Sequence, residues 1–212
     1  MNLQLAVVGA PKTGKTSLCI NFAEYLGATN LCYTENGLLG RGRGVISVRQ
    51  ARKLMVHPGS RSNGVMRSFA VNLPGYSLRR VVLVDTVSLK EQKPLPRRER
   101  LKLLLTLQAL QEADAVLYLI DLSCSDPVLL HFAMEAGIRL IKYCRSAAKP
   151  FITLGTKCDL LPAAGGFSAD PIFPGGKVIP VSSLDRRGFA ELRKLLFAEE
   201  GMELPIRMHS GI

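Results

Sequence analysis

The chain has 212 residues, of which 47% are hydrophobic and 21% are charged, so it can bury an α/β core and is not a disordered protein. No apolar run approaches the roughly 20 residues of a membrane span, and the N-terminus shows neither the basic region nor the cleavage site of a signal peptide. The five cysteines lack C-x-x-C spacing, which argues against disulfides and structural zinc and favours a reducing, cytoplasmic location.

The formal net charge of +11 is concentrated in one part of the chain. Residues 37–102 contain fifteen lysines and arginines but three acidic residues, a net of +12. Such a field favours an anionic partner, and we consider RNA, the ribosome or an acidic protein, bound through residues 41–102. The alternative is a solvated loop without a dedicated partner.

The first motif follows residues 3–8, whose apolar run predicts a buried strand. The sequence GAPKTGKT over residues 9–16 fits the pattern G-x-x-x-x-G-K-[ST] and leads into a predicted helix over 16–26. Phosphate oxygens need many N–H donors, which a glycine-rich loop and a helix N-terminus provide. Lys15 is expected to reach the β- and γ-phosphates as the catalytic cation, and the Thr16 hydroxyl to bind Mg²⁺. The predicted nucleotide-binding residues here are Gly9, Ala10, Pro11, Lys12, Thr13, Gly14, Lys15, Thr16 and Ser17.

Residues 27–84, which follow the first helix, are predicted to contain a loop and then strands. Residues 27–44 contain five glycines and little periodicity, which predicts a long mobile loop. Residues 45–56 favour a short basic helix or strand, and a turn is expected at 57–59. Strands over 65–73 and 78–84 flank Pro74 and Gly75, which predicts a β-hairpin whose second strand lies centrally in the sheet.

The remainder of the chain alternates between strands and helices. We predict a basic loop over 90–98, helices over 97–113, 127–146 and 187–198, and strands over 116–120, 151–154 and 177–181. This alternation predicts a three-layer α/β/α fold around a mostly parallel sheet of about six strands. We expect a single domain over residues 1–200 and a loose tail over 201–212.

Two aspartates follow apolar strands and compete for the metal. Asp85 ends the strand over 81–84, as a Walker B segment requires, and is expected to hold Mg²⁺, through a water. Asp121 follows the strand over 116–120, and for it we expect the ordinary role of capping the next turn. We prefer Asp85 for the metal because its strand follows the hairpin and precedes a long segment.

The sequence T-K-C-D at residues 156–159 follows a predicted strand and resembles the [NT]-K-x-D guanine motif of the small GTPase superfamily. Guanine presents its N1–H and its amine side by side, so one carboxylate, Asp159, can accept from both. Adenine presents an acceptor at N1 instead and is therefore disfavoured. Thr156 belongs to the same motif, and the stem of Lys157 can pack over the base.

A second loop after the last strand resembles the S-A-L/K loop of the same superfamily, whose backbone amide contacts the guanine oxygen. It consists of Ser182, Ser183 and Leu184, with Ser183 in place of the usual alanine. Taken by itself, this stretch is an ordinary loop with a helix cap.

Together these motifs resemble the translation-factor class of P-loop GTPases over most of the chain. Residues 58–62 and 84–86 resemble the P-G-T-T-R … D-T-A-G layout of the Era/TrmE branch, which includes the GTPase domain of HydF. The resemblance implies GTP or GDP as ligand, Mg²⁺, and a switch hydroxyl at Ser60 or Ser62 that takes part in catalysis. Thr34, eighteen residues after Thr16, is a rival for that role. Residues 28–64 then form a long basic switch I insertion.

Two residues depart from the family pattern. Ser88 stands where D-x-x-G has the glycine whose amide senses the γ-phosphate, and Leu89 stands where Ras-like proteins place a water-orienting glutamine. We therefore expect slow hydrolysis of GTP to GDP and phosphate without a partner, by a molecular switch or assembly factor. The alternatives are a nucleotide-binding interaction module with negligible hydrolysis and a P-loop ATPase or kinase.

Overall fold

The computed structural model describes residues 2–37, 40–56, 65–73, 80–89, 96–162, 173 and 176–197. The eight described strands are β1 Asn2–Gly9, β2 Asn30–Gly37, β3 Gly40–Ser47, β4 Met66–Asn72, β5 Arg80–Asp85, β6 Ala115–Asp121, β7 Phe151–Thr156 and β8 Val178–Pro180. The five described α-helices are α1 Lys15–Tyr25, α2 Val48–Ala51, α3 Arg97–Glu112, α4 Pro127–Ser146 and α5 Phe189–Leu196. A π-helical turn over Arg52–Val56 continues α2, and a short 3₁₀ helix spans Cys158–Leu160.

The strands form one sheet in the order β3-β2-β4-β5-β1-β6-β7-β8. Strands β5, β1, β6, β7 and β8 pair in parallel, whereas β3, β2 and β4 pair antiparallel with their neighbours. The predicted mixed α/β fold with a mostly parallel sheet is therefore confirmed, with eight strands rather than about six.

Helices cover both faces of the sheet because the central strands are apolar on both sides. In β1, Leu5 and Val7 face a core cluster that includes Phe22 of α1 and Phe189 of α5. Ala6 and Val8 of the same strand face a second core cluster, which contains residues of α3 and α4. The phosphate loop at the end of β1 is thereby held between two packed layers.

The prediction of a mobile loop over residues 27–44 was wrong. Strands β2 and β3 form an antiparallel hairpin in which Gly37 pairs with Gly40, and β2 continues the sheet alongside β4. A Cβ at Gly44 would lie 3.0 Å from the Tyr33 ring, so one glycine makes room for a neighbouring side chain. The glycines made this pair of strands difficult to predict from the sequence. Leu31 of β2 lies fully buried in the core.

The other predicted element boundaries lie closer to those in the structure. Helix α3 begins at Arg97, as the helix predicted over 97–113 does, and the basic loop predicted over 90–98 therefore ends earlier; α5 begins two residues later than predicted. The antiparallel pairing of β4 with β5 agrees with the predicted hairpin. The turns predicted at 57–59 and at Pro74 and Gly75, and the tail over 201–212, lie outside the described residues.

Two further observations concern the whole described structure. Within it, no helix has the length and apolar character needed to cross a bilayer. All five cysteines are described, and all are free thiols.

Leu31→Ala tests whether the hairpin belongs to the core. Because Leu31 is 0% exposed, we expect its truncation to lower the free energy of unfolding by about 2–5 kcal/mol in a denaturant titration. Val45→Ala on the same hairpin is the control, since Val45 is 70% exposed and should change stability by less than about 0.5 kcal/mol. Equal, small effects of both substitutions would mean that the hairpin does not pack against the core.

Candidate functional site

The phosphate loop has the backbone that its sequence predicts. Lys12 and Gly14 have left-handed φ values of 64° and 87°, and α1 begins directly after Gly14. A Cβ at Gly9 would lie 2.7 Å from the Leu119 carbonyl oxygen, so glycine allows β6 to pass close to the loop. The Thr13 hydroxyl donates to the Ala10 carbonyl at 2.9 Å and closes the loop.

The buried ammonium of Lys15 lies within this loop. Its Nζ donates to the carbonyls of Gly9 at 3.1 Å and Ala10 at 2.8 Å, and to the Ser88 hydroxyl at 2.8 Å. Burial lowers the pKa of Lys15 to about 8, although the nearby Asp85 carboxylate opposes that shift. Because neighbouring groups neutralise the buried Lys15 ammonium only in part, it favours the binding of an anion.

Thr16 and Asp85 meet beside Lys15, as the Walker B prediction requires. The Thr16 hydroxyl donates to Asp85 Oδ2 at 2.6 Å, and Asp85 is 4% exposed. Burial raises the pKa of Asp85, while the Thr16 hydrogen bond and the charges of Lys15 and Arg67 oppose the rise. A further cation beside this carboxylate would therefore be stabilised.

The chemistry of this pair fits Mg²⁺, which prefers oxygen ligands and takes one or two of them from the protein, the remainder from phosphate and water. In the described part of the chain, no three His, Cys, Asp or Glu residues cluster as a metal site. An all-protein cage for a metal is thus not formed by these residues, whereas a hydroxyl and a carboxylate beside a phosphate loop are in place.

Asp121 plays the turn-capping role that we expected for it. Its Oδ1 accepts from the backbone N–H of Ser123 at 3.0 Å and from the Ser123 hydroxyl at 2.6 Å. Its Oδ2 accepts from Lys157 Nζ at 2.6 Å, an ion pair that the sequence did not reveal. Burial raises the pKa of Asp121, but the hydrogen bonds from Lys157 and Ser123 outweigh it and hold that pKa below its usual value.

Thr156, the first residue of T-K-C-D, joins this motif to the phosphate loop. Its buried hydroxyl lies 2.9 Å from the Thr13 carbonyl and 3.0 Å from the Ile120 carbonyl. The Cys158 N–H donates to the Val181 carbonyl at 3.4 Å, which brings the loop after β8 beside the motif. The two predicted base-binding loops and the phosphate loop are therefore neighbours.

Asp159 is the residue that the sequence predicts to recognise guanine. It is half-buried, and no described residue donates a hydrogen bond to its carboxylate. Lys157, two positions before it, adopts a left-handed φ of 59°, a conformation that is uncommon outside glycine and concentrates at functional sites.

The loop over 182–184 is held by its own first residue. The buried Ser182 hydroxyl accepts from the N–H groups of Leu184 at 3.1 Å and Asp185 at 3.3 Å, so it caps this turn. Helix α5 has Gly188 rather than a serine at its N-cap. Ser183 is half-buried and Leu184 is 84% exposed, which leaves both on the open side of the site.

Thr34, the rival for the switch hydroxyl, lies in β2 on the face of the sheet opposite to Asp85. It pairs with Ser68, which pairs with Val84, so the three side chains lie on one face of the sheet. Asp85 is the next residue after Val84 and points to the opposite face. The other candidates, Ser60 and Ser62, lie outside the described residues.

The segment after Asp85 is attached to β1. The Thr86 hydroxyl donates to the Val7 carbonyl at 2.8 Å, and the Leu89 N–H donates to the Gly9 carbonyl at 3.2 Å. The Leu89 side chain packs against the core cluster that contains Val8. Leu89 therefore serves packing in this structure.

Arg67 of β4 is a charged neighbour of Asp85 that sequence reasoning missed. Strand register aligns Glu35, Arg67 and Asp85 across three strands. The Arg67 Nε donates to Glu35 Oε1 at 2.6 Å, and the Arg67 side chain is largely buried. No local sequence pattern indicates that these three residues are neighbours, because their proximity depends on how the strands align.

The fold resembles solved GTP-binding proteins. An Era structure in complex with MgGDPNP and nucleotides 1506–1542 of 16S ribosomal RNA superposes with a TM-score of 0.62 at 20% identity, covering 96% of this chain and 59% of that one. A GTP-binding protein from Sulfolobus solfataricus in complex with GDP gives 0.56 at 19% identity, covering 92% and 51%. The cytosolic domain of the T. maritima FeoB iron transporter in its GMPPNP form gives 0.53 at 14% identity, covering 96% and 66%.

No protein-family model matches the sequence, and a search of the curated proteins gives no significant match. The structural similarity shows that the chain shares the α/β fold of these GTP-binding proteins. The chain spans 59% of the Era chain, so its likeness covers part of that protein.

Matched substitutions of Asp85 and Asp121 test which carboxylate serves the metal. We expect Asp85→Asn to remove most of the Mg²⁺-dependent gain in nucleotide affinity, about tenfold or more, because the amide has no charge. Asp121→Asn should preserve that gain within about twofold. The measurement is GDP affinity by calorimetry with Mg²⁺ and with EDTA, and the reverse pattern would assign the metal to Asp121.

Proposed function

From this fold, we propose that the chain binds GTP and GDP with Mg²⁺ and hydrolyses GTP slowly, as a molecular switch or assembly factor. The observation that carries the proposal is the convergence of three separate motifs on one edge of the sheet. The Thr16–Asp85 hydrogen bond joins the phosphate loop to β5, and the Thr156–Thr13 hydrogen bond joins it to the T-K-C-D loop. The Era, Sulfolobus and FeoB structures hold guanine nucleotides or their analogues.

The proposed phosphate chemistry rests on charge neutralisation. Lys15 offers a buried ammonium to the β- and γ-phosphates, and the loop backbone offers its N–H groups. Thr16 and Asp85 would hold Mg²⁺, which when bound neutralises charge on the phosphate oxygens. Gly9 to Ser17 would thus form the phosphate subsite.

The proposed base specificity rests on Asp159. Its carboxylate would accept from both guanine donors, while an adenine in the same place would leave that acceptor facing N1. The exposed edge formed by Ser183 and Leu184 would close the base subsite from the β8 side. Lys157 would pack along the base while its ammonium remains paired with Asp121.

Slow hydrolysis follows from the residues around the phosphates. Leucine at position 89 has no group to orient water, and its side chain is engaged in core packing. Ser60 or Ser62 would supply the switch hydroxyl over the metal. Catalysis would depend on positioning by Lys15, so a partner that adds a cation or a water-orienting group should accelerate it.

Measured nucleotide affinities test the proposed guanine specificity directly. We expect GDP and GMPPNP to bind at least about 100-fold more tightly than the corresponding adenine nucleotides, because Asp159 rejects adenine. Asp159→Asn should weaken GDP by about 10- to 100-fold and strengthen XDP, whose base presents a carbonyl where guanine has an amine. Equal affinity for ATP analogues would favour the ATPase or kinase alternative.

Single-turnover phosphate release on the same protein separates a slow GTPase from an interaction module. Release above that of a Lys15→Ala variant supports hydrolysis. Release that never exceeds the variant's, with tight nucleotide binding intact, favours the module.

We also propose that the basic region contacts RNA through one face of the sheet. Arg41 and Arg43 of β3 and Arg80 of β5 are exposed on the same face as Thr34 and Ser68, by strand register. Among the described residues of β2 to β5 on that face, none is acidic. Other cations of the basic region serve internal pairs, such as Arg67 with Glu35, and the related Era structure holds a 16S rRNA segment.

Salt-dependent binding tests this surface. With the rRNA segment of nucleotides 1506–1542 as probe, neutralising Arg41, Arg43 and Arg80 to alanine should weaken binding and reduce the salt slope by about three. The control neutralises three cations exposed on α4, namely Arg139, Lys142 and Arg145, and should have no such effect. Equal binding of polyglutamate would favour an acidic protein, and no binding at low salt would exclude the proposal.

A further inference from the structure

A groove of about 530 Å³ lies on the face of the sheet that carries the exposed arginines. Helix α3 covers one end of that face, where Ala109 packs with Met66 of β4 and Val84 of β5. Beyond that contact the strands are open to solvent, since Val45 of β3 is 70% exposed and Cys32 of β2 is exposed as well. The volume of the groove lies within the range of about 300–1,000 Å³ that is usual for ligand-binding clefts.

The floor of the groove combines small or apolar side chains with hydroxyl groups. Strand register forms one row across the floor, from β3 to β5, out of Val45, Cys32, Ala70 and Val82. The hydroxyls of Thr34 and Ser68 lie in the next row, and no described residue forms a hydrogen bond with either of them. The hydroxyls can therefore bind a polar ligand, while the first row can contact a flat apolar surface.

Arg43 and Arg80 stand at opposite corners of this floor. Arg43 lies on the edge strand β3 in the row of Thr34, whereas Arg80 lies on β5 beyond the row of Val82. A strand spacing of about 4.8 Å and a rise of about 3.4 Å per residue place the two backbones about 20 Å apart. Neither guanidinium pairs with a described carboxylate. An anion that engages both must therefore be an extended chain with several charges.

We propose that this groove binds single-stranded RNA, with unpaired bases on its floor and phosphates at Arg43 and Arg80. The inference rests on the proposed RNA contact and specifies which form of RNA this face accepts. An unpaired base presents a flat apolar face to Ala70 and Val82, and its edge presents hydrogen-bonding groups to the hydroxyls of the floor. In a duplex the bases are stacked and paired inside the helix, so they cannot enter the groove.

The charge of the arginines by itself would give the opposite preference. A surface that offers only cations binds a duplex at least as tightly as a single strand, because the duplex carries more phosphates per unit length. Tighter binding of the single strand therefore reports on the floor of the groove rather than on the cations around it.

Oligouridine, and the same oligouridine annealed to oligoadenylate, are the two probes. We expect the single strand to bind at least about tenfold more tightly than the duplex at equal salt, measured by fluorescence anisotropy. Equal or tighter binding of the duplex would overturn the groove as a single-strand site and leave the proposed RNA contact standing. Absence of binding to both probes at low salt would instead reject the proposed RNA contact, so the two failures are distinguishable.

Ala70→Leu fills the floor of the groove without removing a charge. We expect it to weaken oligouridine binding about three- to tenfold and to leave the salt slope unchanged, because no phosphate contact is lost. Ala190→Leu is the matched control, since Ala190 is exposed on α5, which packs on the opposite face of the sheet, and it should leave binding unchanged. Unchanged binding by an Ala70→Leu variant whose thermal unfolding matches the parent would overturn the proposal.

The Cys32 thiol reports directly on occupancy of the floor, because Cys32 is exposed there whereas Cys19, Cys144 and Cys158 are buried. Bound oligouridine should slow the alkylation of Cys32 by N-ethylmaleimide in proportion to the bound fraction. Alkylation of the half-buried Cys124, which precedes α4, should be unaffected and serves as the internal control. A Cys32 that is alkylated at the same rate under saturating oligouridine would overturn the proposal. Equal protection of Cys32 by polyglutamate would also overturn it, in favour of an acidic peptide.

Discussion

The burial of two opposite charges at the junction of β1, β5 and α1 is the constraint on which the site depends. Lys15 and Asp85 are both buried, and burial lowers the pKa of the first and raises that of the second. Each charged form is stabilised by the other and by a local hydrogen bond. Burying these two charges costs free energy in the ligand-free protein. Binding an anion and a cation there together, as a nucleotide with Mg²⁺ would, offsets that cost.

The same constraint connects the inserted hairpin to the site. Glu35 on β2 pairs with Arg67 on β4, and Arg67 acts electrostatically on Asp85 of β5. These three residues form a row across the sheet that ends at Asp85, so the hairpin is connected to the candidate site. Its other face carries exposed arginines, which places the proposed RNA contact and the Asp85 site on opposite sides of the same strands.

Nucleotide binding and turnover differ in how far the geometry supports them. The proposed binding is supported by the loop backbone, by the Thr16–Asp85 pair and by an Asp159 carboxylate to which no described residue donates a hydrogen bond. Turnover depends on residues that either pack elsewhere, as Leu89 does, or lie outside the described part of the chain, as Ser60 does. The described residues thus bear more on the proposed nucleotide binding than on the proposed hydrolysis.

The sequence alone predicted the phosphate loop, the candidate Walker B aspartate and the two candidate base loops, because each is a short run of residues whose chemistry depends on local spacing. It also predicted the alternating α/β order, since helices and strands leave periodic patterns of apolar residues. It failed at β2 and β3, a glycine-rich pair of strands in which β3 pairs with β2 and β2 also pairs with β4. Only the tertiary structure decided what depends on strand register and on contacts between distant residues. Strand register placed Thr34 on the face opposite to Asp85 and Arg67 beside Asp85, and the path of the chain after β5 brought Ser88 to Lys15, none of which a one-dimensional pattern can encode.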